Sequence, residues 1–168
     1  MKDADIVVTN PPFSLIKDFL SLVEKKEFIV IAPKNVLTYN LGQTLMKKQK
    51  LFLGYTIGSN HLSFVSPTGE NMFVPCSWYV SFYTPKKPLI LTKTYSADKY
   101  PVLDNIDAIN VDKTADIPID YDGLMAVPIT FYGKYCHEQF EIVGGWKPVL
   151  NGKNLYYRLL IKHKKGEH

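Results

Sequence analysis

The chain has 168 residues, a formal net charge of +4 and 46% hydrophobic residues, which fits a folded globular protein and excludes a disordered, highly charged segment. Its two cysteines, Cys76 and Cys136, are too few and too far apart for a disulfide framework or a zinc knuckle, so we expect buried free thiols. The absence of a signal segment and of an apolar run near the roughly 20 residues of a membrane helix predicts a cytoplasmic protein without membrane contact.

The first predicted element is a strand over residues 5–9, because its β-branched run is typical of a strand buried on both faces of a parallel sheet. An Asn-Pro-Pro sequence at residues 10–12 ends this strand, since proline cannot donate to the ladder. Ser14 is the candidate N-cap of the following helix. A second buried strand over residues 28–32 completes a parallel crossover. The buried face of the helix is predicted to hold Leu15, Phe19, Leu20 and Val23.

The middle of the chain predicts one more helix and two more strands. The helix covers residues 38–49, and the strands cover residues 51–57 and 77–83. Residues 58–75 are rich in Gly, Ser, Asn and Pro, which predicts a long loop. A loop of this length is either a plain surface excursion or a segment that contacts DNA or a partner.

The last third predicts an irregular Asp-rich extension followed by a small β-rich part. The paired residues Asn151-Gly152 are a strong hairpin signal. The basic C-terminus is either a solvated tail or a phosphate-binding strip. Short strands are predicted over residues 123–135, 140–143 and 155–161, with Gly144-Gly145 separating two of them.

The motif most informative about chemistry is Asn10-Pro11-Pro12-Phe13, at the carboxyl end of the first strand, where open α/β sheets bind ligands. These residue types suit methylation of an exocyclic adenine amine, whose lone pair is delocalised into the ring. The Asn10 side-chain oxygen and the Pro11 carbonyl can each accept one amine hydrogen, at a separation that the stiff Pro-Pro unit fixes. Phe13 can stack on a base flipped out of the duplex.

The alternative interpretation of this motif is a common turn followed by the first core residue of a helix. The buried strand before the motif and the helix after it favour the chemical interpretation.

The sequence DIVVTNPPFS resembles the catalytic motif of amino-methyltransferases, and more narrowly that of the EcoRI-type adenine-specific DNA methyltransferases. Stretches such as NVLTYN, LFLGYTIGS and MAVPITFYGKYCHEQFEIVG are similar in content and order to the C-terminal half of that family, over essentially the whole chain. The resemblance implies methyl transfer from S-adenosylmethionine to adenine N6 in DNA. It implies that the catalytic residues are Asn10, Pro11, Pro12 and Phe13.

The resemblance also implies an α/β fold: a partial Rossmann-like methyltransferase sheet, from the catalytic-motif strand onward, with a small β-rich C-terminal extension. Residues 1–90 would be the C-terminal half of a class I methyltransferase domain, and residues 91–168 an extension packed on it. The family's cofactor loop and its ribose-binding acidic residue precede the motif, and neither precedes Asp5 here. We therefore expect a fragment that lacks the main S-adenosylmethionine site and is inactive alone.

Such a fragment is expected to expose a sheet edge that pairs with a missing N-terminal half or with a second copy. Two other functions stay open. One is a catalytically inactive DNA-binding or interaction module derived from such an enzyme. The other is the same amine chemistry on RNA bases or on protein glutamine, against which the likeness to DNA-adenine enzymes argues.

Several other residues are site candidates. His61, in the predicted loop, could contact DNA, although a lone loop histidine is usually solvent-exposed and without a functional role. Tyr39 and Asn40 are expected to line the same end of the sheet as Phe13. Trp78 and Trp146 are expected to pack in a core or at a sheet edge. Cys136 with His137-Glu138 only superficially suggests a metal site, because zinc needs four ligands at ligand spacing.

Overall fold

The structure is a computed structural model that describes residues 4–54, 62–82 and 85–164. The chain divides into two compact units, Met1–Thr84 and Pro85–His168. Both contain small β-sheets, and the described α-helices lie in the first unit. The chain is therefore a mixed α and β protein, as predicted. The assignment of residues 1–90 to half of a class I methyltransferase domain stays a prediction.

The first unit contains two α-helices, α1 (Ile16–Val23) and α2 (Asn40–Lys47). Its six strands are β1 (Ile6–Thr9), β2 (Glu27–Pro33), β3 (Phe52–Leu53), β4 (Leu62–Val65), β5 (Asn71–Val74) and β6 (Cys76–Val80). Four of these strands form a sheet in the order β1-β2-β6-β3. Strand β1 runs parallel to β2, whereas β6 is antiparallel to β2 and β3. The predicted strand–helix–strand crossover is therefore confirmed.

The core of the first unit lies where α1 packs on β2. Phe28 and Val30 of β2 and Leu20 and Val23 of α1 are almost completely buried. The N–H of Phe28 donates a 2.8 Å hydrogen bond to the Ser81 hydroxyl, which satisfies this buried backbone group just beyond the end of β6. These contacts hold β2 and α1 in place and so fix where β1 ends.

Strand β1 was predicted to be buried on both faces, and this is wrong. Ile6 is 44% exposed and Val8 is 62% exposed. The reason is that β1 pairs with β2 on one side and with no strand of the described residues on the other. A β-branched apolar run therefore lies at an open sheet edge.

The start of α1 also differs from the prediction that Ser14 caps the helix. The Pro12 carbonyl accepts a 2.9 Å hydrogen bond from the Leu15 N–H, which closes a short 3-10 turn over Phe13–Leu15. The helix then begins at Ile16, without a side-chain cap. Because the buried face starts at Ile16, Leu15 is 54% exposed instead of buried.

The predicted long loop contains a hairpin, which corrects the prediction for the described residues from Leu62 onward. Strands β4 and β5 pair antiparallel around a turn in which Gly69 has a φ of +84°. The other predicted elements of this unit are found with shifted ends. The strand predicted over residues 77–83 is β6, and the one predicted over residues 51–57 is described only as β3. The helix predicted over residues 38–49 is α2, preceded by a 3-10 turn over Lys34–Thr38.

The second unit is built on a four-stranded sheet and a small hairpin. Its strands are β7 (Ile109–Asn110), β8 (Met125–Pro128), β9 (Phe140–Trp146), β10 (Val149–Leu150), β11 (Lys153–Asn154) and β12 (Arg158–His163). The sheet order is β7-β8-β12-β9. Strands β10 and β11 are joined by Asn151-Gly152, with φ values of +50° and +74°, so the predicted hairpin is confirmed.

Two strand predictions in this unit are wrong. The strand predicted over residues 123–135 ends at Pro128 and continues as a 3-10 helix, Ile129–Lys134, because proline has no N–H to extend the ladder. Gly144-Gly145 lies inside β9 instead of separating strands. The register of β9 against β12 shifts between Leu160 and Ile161, and glycines are common beside such irregularities.

Cys76 and Cys136 are both buried free thiols, as predicted. Trp78 is half-buried in β6, and Trp146 is exposed at the end of β9. Trp146 is therefore not a core residue.

Candidate functional site

The four residues of the predicted site, Asn10 to Phe13, follow β1 directly. Strand β1 ends at Thr9, and its parallel neighbour β2 ends at Pro33. The carboxyl ends of these two strands therefore lie at the same edge of the sheet, which is the edge where open α/β sheets bind ligands.

The four motif residues differ in burial. Asn10 and Pro12 are exposed, Pro11 is buried and Phe13 is half-buried. Within the described ranges the Asn10 side chain makes no hydrogen bond, whereas the Pro12 carbonyl is used by the 3-10 turn. The structure therefore leaves the Asn10 amide available to a ligand and leaves part of the Phe13 ring accessible.

The titratable group next to the end of β2 is Lys34. Burial lowers the pKa of its ammonium, and the nearby Cys76 thiol opposes that change. Burial also raises the pKa of Cys76, which keeps this thiol protonated. No residue of the motif itself ionises, so any chemistry at Asn10 depends on neutral hydrogen-bond acceptors.

A cavity of about 430 Å³ lies between α1 and the start of α2, and we call it the α1–α2 cavity. It begins four residues after Phe13, at Lys17 in the first turn of α1. The Lys17 ammonium lies 4.4 Å from the centroid of the Tyr39 ring. Its lining residues are Lys17, Asp18, Ser21, Thr38, Tyr39, Asn40 and Leu41.

Tyr39 and Asn40 thus follow β2 at the end predicted for them, and they share this cavity. The sequence prediction missed Lys17 and Asp18. Their signal was available, because the first turn of a helix that follows a strand-end motif lies near that motif.

His61 lies outside the described residues. The Cys136 thiol donates a 3.2 Å hydrogen bond to Glu138, and the Lys164 ammonium lies 3.2 Å from His137 Nδ1. Among residues 4–54, 62–82 and 85–164, no group of three or more His, Cys, Asp or Glu side chains is arranged to hold a metal ion.

Strand β1 is followed by Asn-Pro-Pro-Phe and β2 by Lys-Asn-Val, so neither parallel strand leads into a glycine loop that would let a nucleoside approach the backbone.

No helix in the part of the chain that the structure describes is long and apolar enough to cross a membrane.

Comparison with known proteins gives consistent matches. A family model described as adenine-specific methyltransferase EcoRI matches residues 1–154. The type II methyltransferase M.EcoRI of Escherichia coli is 40% identical, over 98% of this chain and 59% of its own length. M.MgeORF184P of Mycoplasma genitalium is 32% identical, over 96% and 65%. M.MpnI of Mycoplasma pneumoniae is 36% identical, over 85% and 52%.

The chain therefore spans between about half and two thirds of the length of these curated relatives. No solved structure gives a significant match.

Proposed function

The chain belongs to the EcoRI family of adenine-specific methyltransferases, and from this premise we propose that it carries the residues that bind and orient the target adenine of DNA. The reaction is the transfer of a methyl group to the N6 amine of that base. The unit β1-α1-β2 would be part of a Rossmann-like methyltransferase sheet. S-adenosylmethionine supplies the methyl group.

The observation that carries the proposal is the state of Asn10. Its side chain is exposed at the carboxyl end of a parallel strand and has no hydrogen-bond partner among the described residues. An amide in this position can accept a hydrogen bond from a ligand without first breaking a bond within the protein. Preorganised acceptors of this kind avoid a reorganisation cost in the transition state.

In the proposed mechanism, Asn10 Oδ1 accepts one hydrogen of the adenine amine and the Pro11 carbonyl accepts the other. Two acceptors at fixed separation favour a tetrahedral nitrogen whose lone pair points away from them, toward the methyl donor. The burial of Pro11 helps to fix this separation. Phe13 stacks on the flipped base and offsets part of the cost of unstacking it, which is a few kcal/mol.

The test is methylation of duplex DNA with labelled S-adenosylmethionine, by the chain alone and with the polypeptide encoded immediately upstream. Asn10→Ala is expected to lower kcat by roughly 100-fold to 1,000-fold, as for loss of one preorganised hydrogen bond in other enzymes. Asn154→Ala is the matched control, because Asn154 is exposed in the second unit. In the arm where the unchanged chain supports methyl transfer, equal activity of Asn10→Ala would refute the assigned role.

We also propose that the main S-adenosylmethionine site lies on polypeptide outside these 168 residues. Two facts support this: the parallel strands lack a glycine loop, and the chain spans only part of its relatives. Calorimetric titration of the chain with S-adenosylmethionine is then expected to show no binding at micromolar concentrations. Tight binding by the chain alone would contradict this proposal and leave the role of Asn10 intact.

The edge of β1 supports a related proposal, namely that it pairs with a further strand. Ile6 and Val8 are exposed on an edge strand, which is a ready template for strand addition. Either the upstream polypeptide or a second copy would supply that strand. A monomer at high concentration that also fails to bind the upstream polypeptide, by sedimentation, would rule this out.

The second candidate function is a DNA-binding module without catalytic activity. The missing glycine loop among the described residues favours it for the chain acting alone. Its signature would be salt-dependent DNA binding with no methyl transfer in either arm of the assay.

A further inference from the structure

Among the residues that the structure describes, none neutralises the charge of Lys17 in the α1–α2 cavity. The Lys17 ammonium forms no ion pair there, because no described carboxylate lies within 4.0 Å of it. The Lys17 side chain is exposed and contacts the Tyr39 ring at 4.4 Å. A cation in this state can bind an anion without losing an existing ion pair.

Tyr39 gives the Lys17 side chain a defined position. A lysine on an open surface samples many rotamers, and fixing it costs side-chain entropy on binding. The half-buried Tyr39 ring attracts the ammonium through its π face, which is worth about 0.5–1 kcal/mol at exposed sites. Lys17 is therefore partly prepositioned at the mouth of the cavity.

The wall of the cavity offers one further donor. The Ser21 hydroxyl donates to the Lys17 carbonyl and the Thr38 hydroxyl donates to the Asn35 carbonyl, so both are already used. The Asn40 side-chain amide has no hydrogen-bond partner in the described part of the chain. Asn40 Nδ2 can therefore donate to an anionic oxygen beside Lys17.

Asp18 lines the same cavity and limits what it can bind. Its carboxylate opposes the Lys17 charge, so a free small anion gains little by entering. An anion that other contacts already hold nearby loses less entropy when it enters the cavity, because its binding is effectively intramolecular. This arrangement favours one phosphate of a polymer over free phosphate.

We propose that the α1–α2 cavity binds a backbone phosphate of DNA close to the target adenine, with Lys17 and Asn40 as its ligands and Tyr39 as the residue that positions Lys17. This inference rests on the proposed function, because it takes the ligand to be the DNA strand whose adenine meets Asn10. Lys17 is the second residue of the helix that follows Phe13 after one short turn, so the two contacts would fall on neighbouring nucleotides.

The test is the salt dependence of duplex binding by the full chain, followed by fluorescence anisotropy at several salt concentrations. Lys17→Gln is expected to lower the slope of log K against log salt by about 0.9, the value for one phosphate on B-form DNA. Lys47→Gln is the charge-matched control, because Lys47 is exposed at the other end of α2. No measurable duplex binding at low salt, or equal slopes for the two variants, would overturn the inference.

Variants of Tyr39 and Asp18 test the rest of the arrangement. Tyr39→Phe keeps the aromatic face and is expected to bind like the unchanged chain, whereas Tyr39→Leu is expected to lose affinity in the same direction as Lys17→Gln. Asp18→Asn should raise affinity for DNA at low salt. An Asp18→Asn variant that binds DNA less tightly while remaining folded by circular dichroism would contradict the assignment.

Competition by free phosphate distinguishes a phosphate of DNA from inorganic phosphate as the ligand of the α1–α2 cavity. Millimolar inorganic phosphate is expected to compete with DNA no better than sulfate at equal ionic strength, and specific competition would assign the cavity to the free anion instead. The outcomes also separate the inference from the proposed function. Loss of methyl transfer in Asn10→Ala with equal slopes for Lys17→Gln and Lys47→Gln removes only the phosphate site, whereas a Lys17-dependent slope without any methyl transfer removes only the catalytic proposal.

Discussion

Amide side chains in the two units of this chain are found in two different states. In the first unit, the amides of Asn10 and Asn40 have no hydrogen-bond partners in the described residues. In the second unit, Gln139 accepts a 2.7 Å hydrogen bond from the Leu89 N–H and donates one of 2.9 Å to the Leu89 carbonyl. The Gln139 amide therefore holds a loop of the second unit, whereas the amides of Asn10 and Asn40 in the first unit are available to a ligand.

Asn105 shows the same behaviour in the second unit. Its Oδ1 accepts from the Val149 N–H and its Nδ2 donates to the Lys147 carbonyl, which ties two segments more than 40 residues apart in sequence. The difference between the units suggests a rule for locating sites. An exposed amide without an internal partner, beside the end of a parallel strand, is a stronger candidate than a polar residue that bridges two loops.

The largest effect that tests this contrast is expected from the aromatic core of the second unit. Phe131 and Phe140 are fully buried and meet edge to face, with centroids 5.3 Å apart. Phe140→Ala is expected to lower the free energy of unfolding of this unit by about 3–5 kcal/mol. Asn10→Ala should change stability by less than about 0.5 kcal/mol.

The chain offers a probe for each unit in this measurement, because Trp78 lies in the first and Trp146 in the second. Denaturant unfolding followed by tryptophan fluorescence reports the second unit in a Trp78→Phe background, for Phe140→Ala. It reports the first unit in a Trp146→Phe background, for Asn10→Ala. Equal destabilisation by Phe140→Ala and Asn10→Ala would break the contrast.

The next largest effect on stability is expected from substitution of Gly42, in the first unit. A Cβ added to Gly42 would lie 2.0 Å from the Val36 carbonyl oxygen, so the backbone of the segment that carries Tyr39 must shift. Gly42→Ala is therefore expected to cost about 1–3 kcal/mol. In Gly145→Ala the clash is with the side chain of Tyr157, at its hydroxyl and ring, and not with backbone, so the cost should be smaller. Thermal unfolding of the two variants measures the difference.

A smaller effect is expected from the amides themselves. Gln139→Ala leaves the Leu89 N–H and carbonyl without their partner, and the free energy of unfolding should fall by about 1–2 kcal/mol. Asn40→Ala removes no internal hydrogen bond of the described residues and should lie within about 0.5 kcal/mol of the unchanged chain. Urea denaturation measures both values, and an Asn40→Ala variant as destabilised as Gln139→Ala would contradict the interpretation of the first unit.

The smallest effect we expect depends on pH and belongs to the second unit. Burial lowers the pKa of His137, and the Lys164 ammonium lowers it further, against the opposing charge of Glu138. The folded state thus favours neutral His137. The stabilisation that neutral His137 contributes is fully present above the ordinary histidine pKa of about 6.5. It is lost as pH falls through the lower pKa of His137 in the folded state. Unfolding at pH 7.5 and pH 5.5 should show a smaller loss in His137→Gln than in the unchanged chain.

Local patterns in the sequence were enough to predict the crossover and the position of the motif. The apolar runs of β1 and β2 and the Pro-Pro break between β1 and α1 act over a few residues, so no distant contact was needed. The Asn151-Gly152 hairpin was predictable for the same reason, since both residues tolerate the positive φ that the turn requires.

The wrong or missed predictions concern features that tertiary contacts determine. The exposure of Ile6 and Val8 depends on which strands flank β1, which the composition of β1 does not encode. The hairpin of β4 and β5 was missed because its Gly, Ser and Pro content masked the alternation of Leu62 and Phe64 with Ser63 and Val65. The α1–α2 cavity was missed because Lys17 and Tyr39 are far apart in sequence and meet only when α1 packs on α2.

The two buried cysteines can serve as native probes of local opening in the two units. Cys76 and Cys136 lie one in each unit, each only 1% exposed, and burial raises the pKa of both thiols. Since only an exposed thiolate reacts readily, alkylation at either position must wait for that half of the chain to open. Mass spectrometry after timed alkylation would therefore report how often each half opens, with no label introduced, and would show whether ligand binding slows one half and leaves the other unchanged.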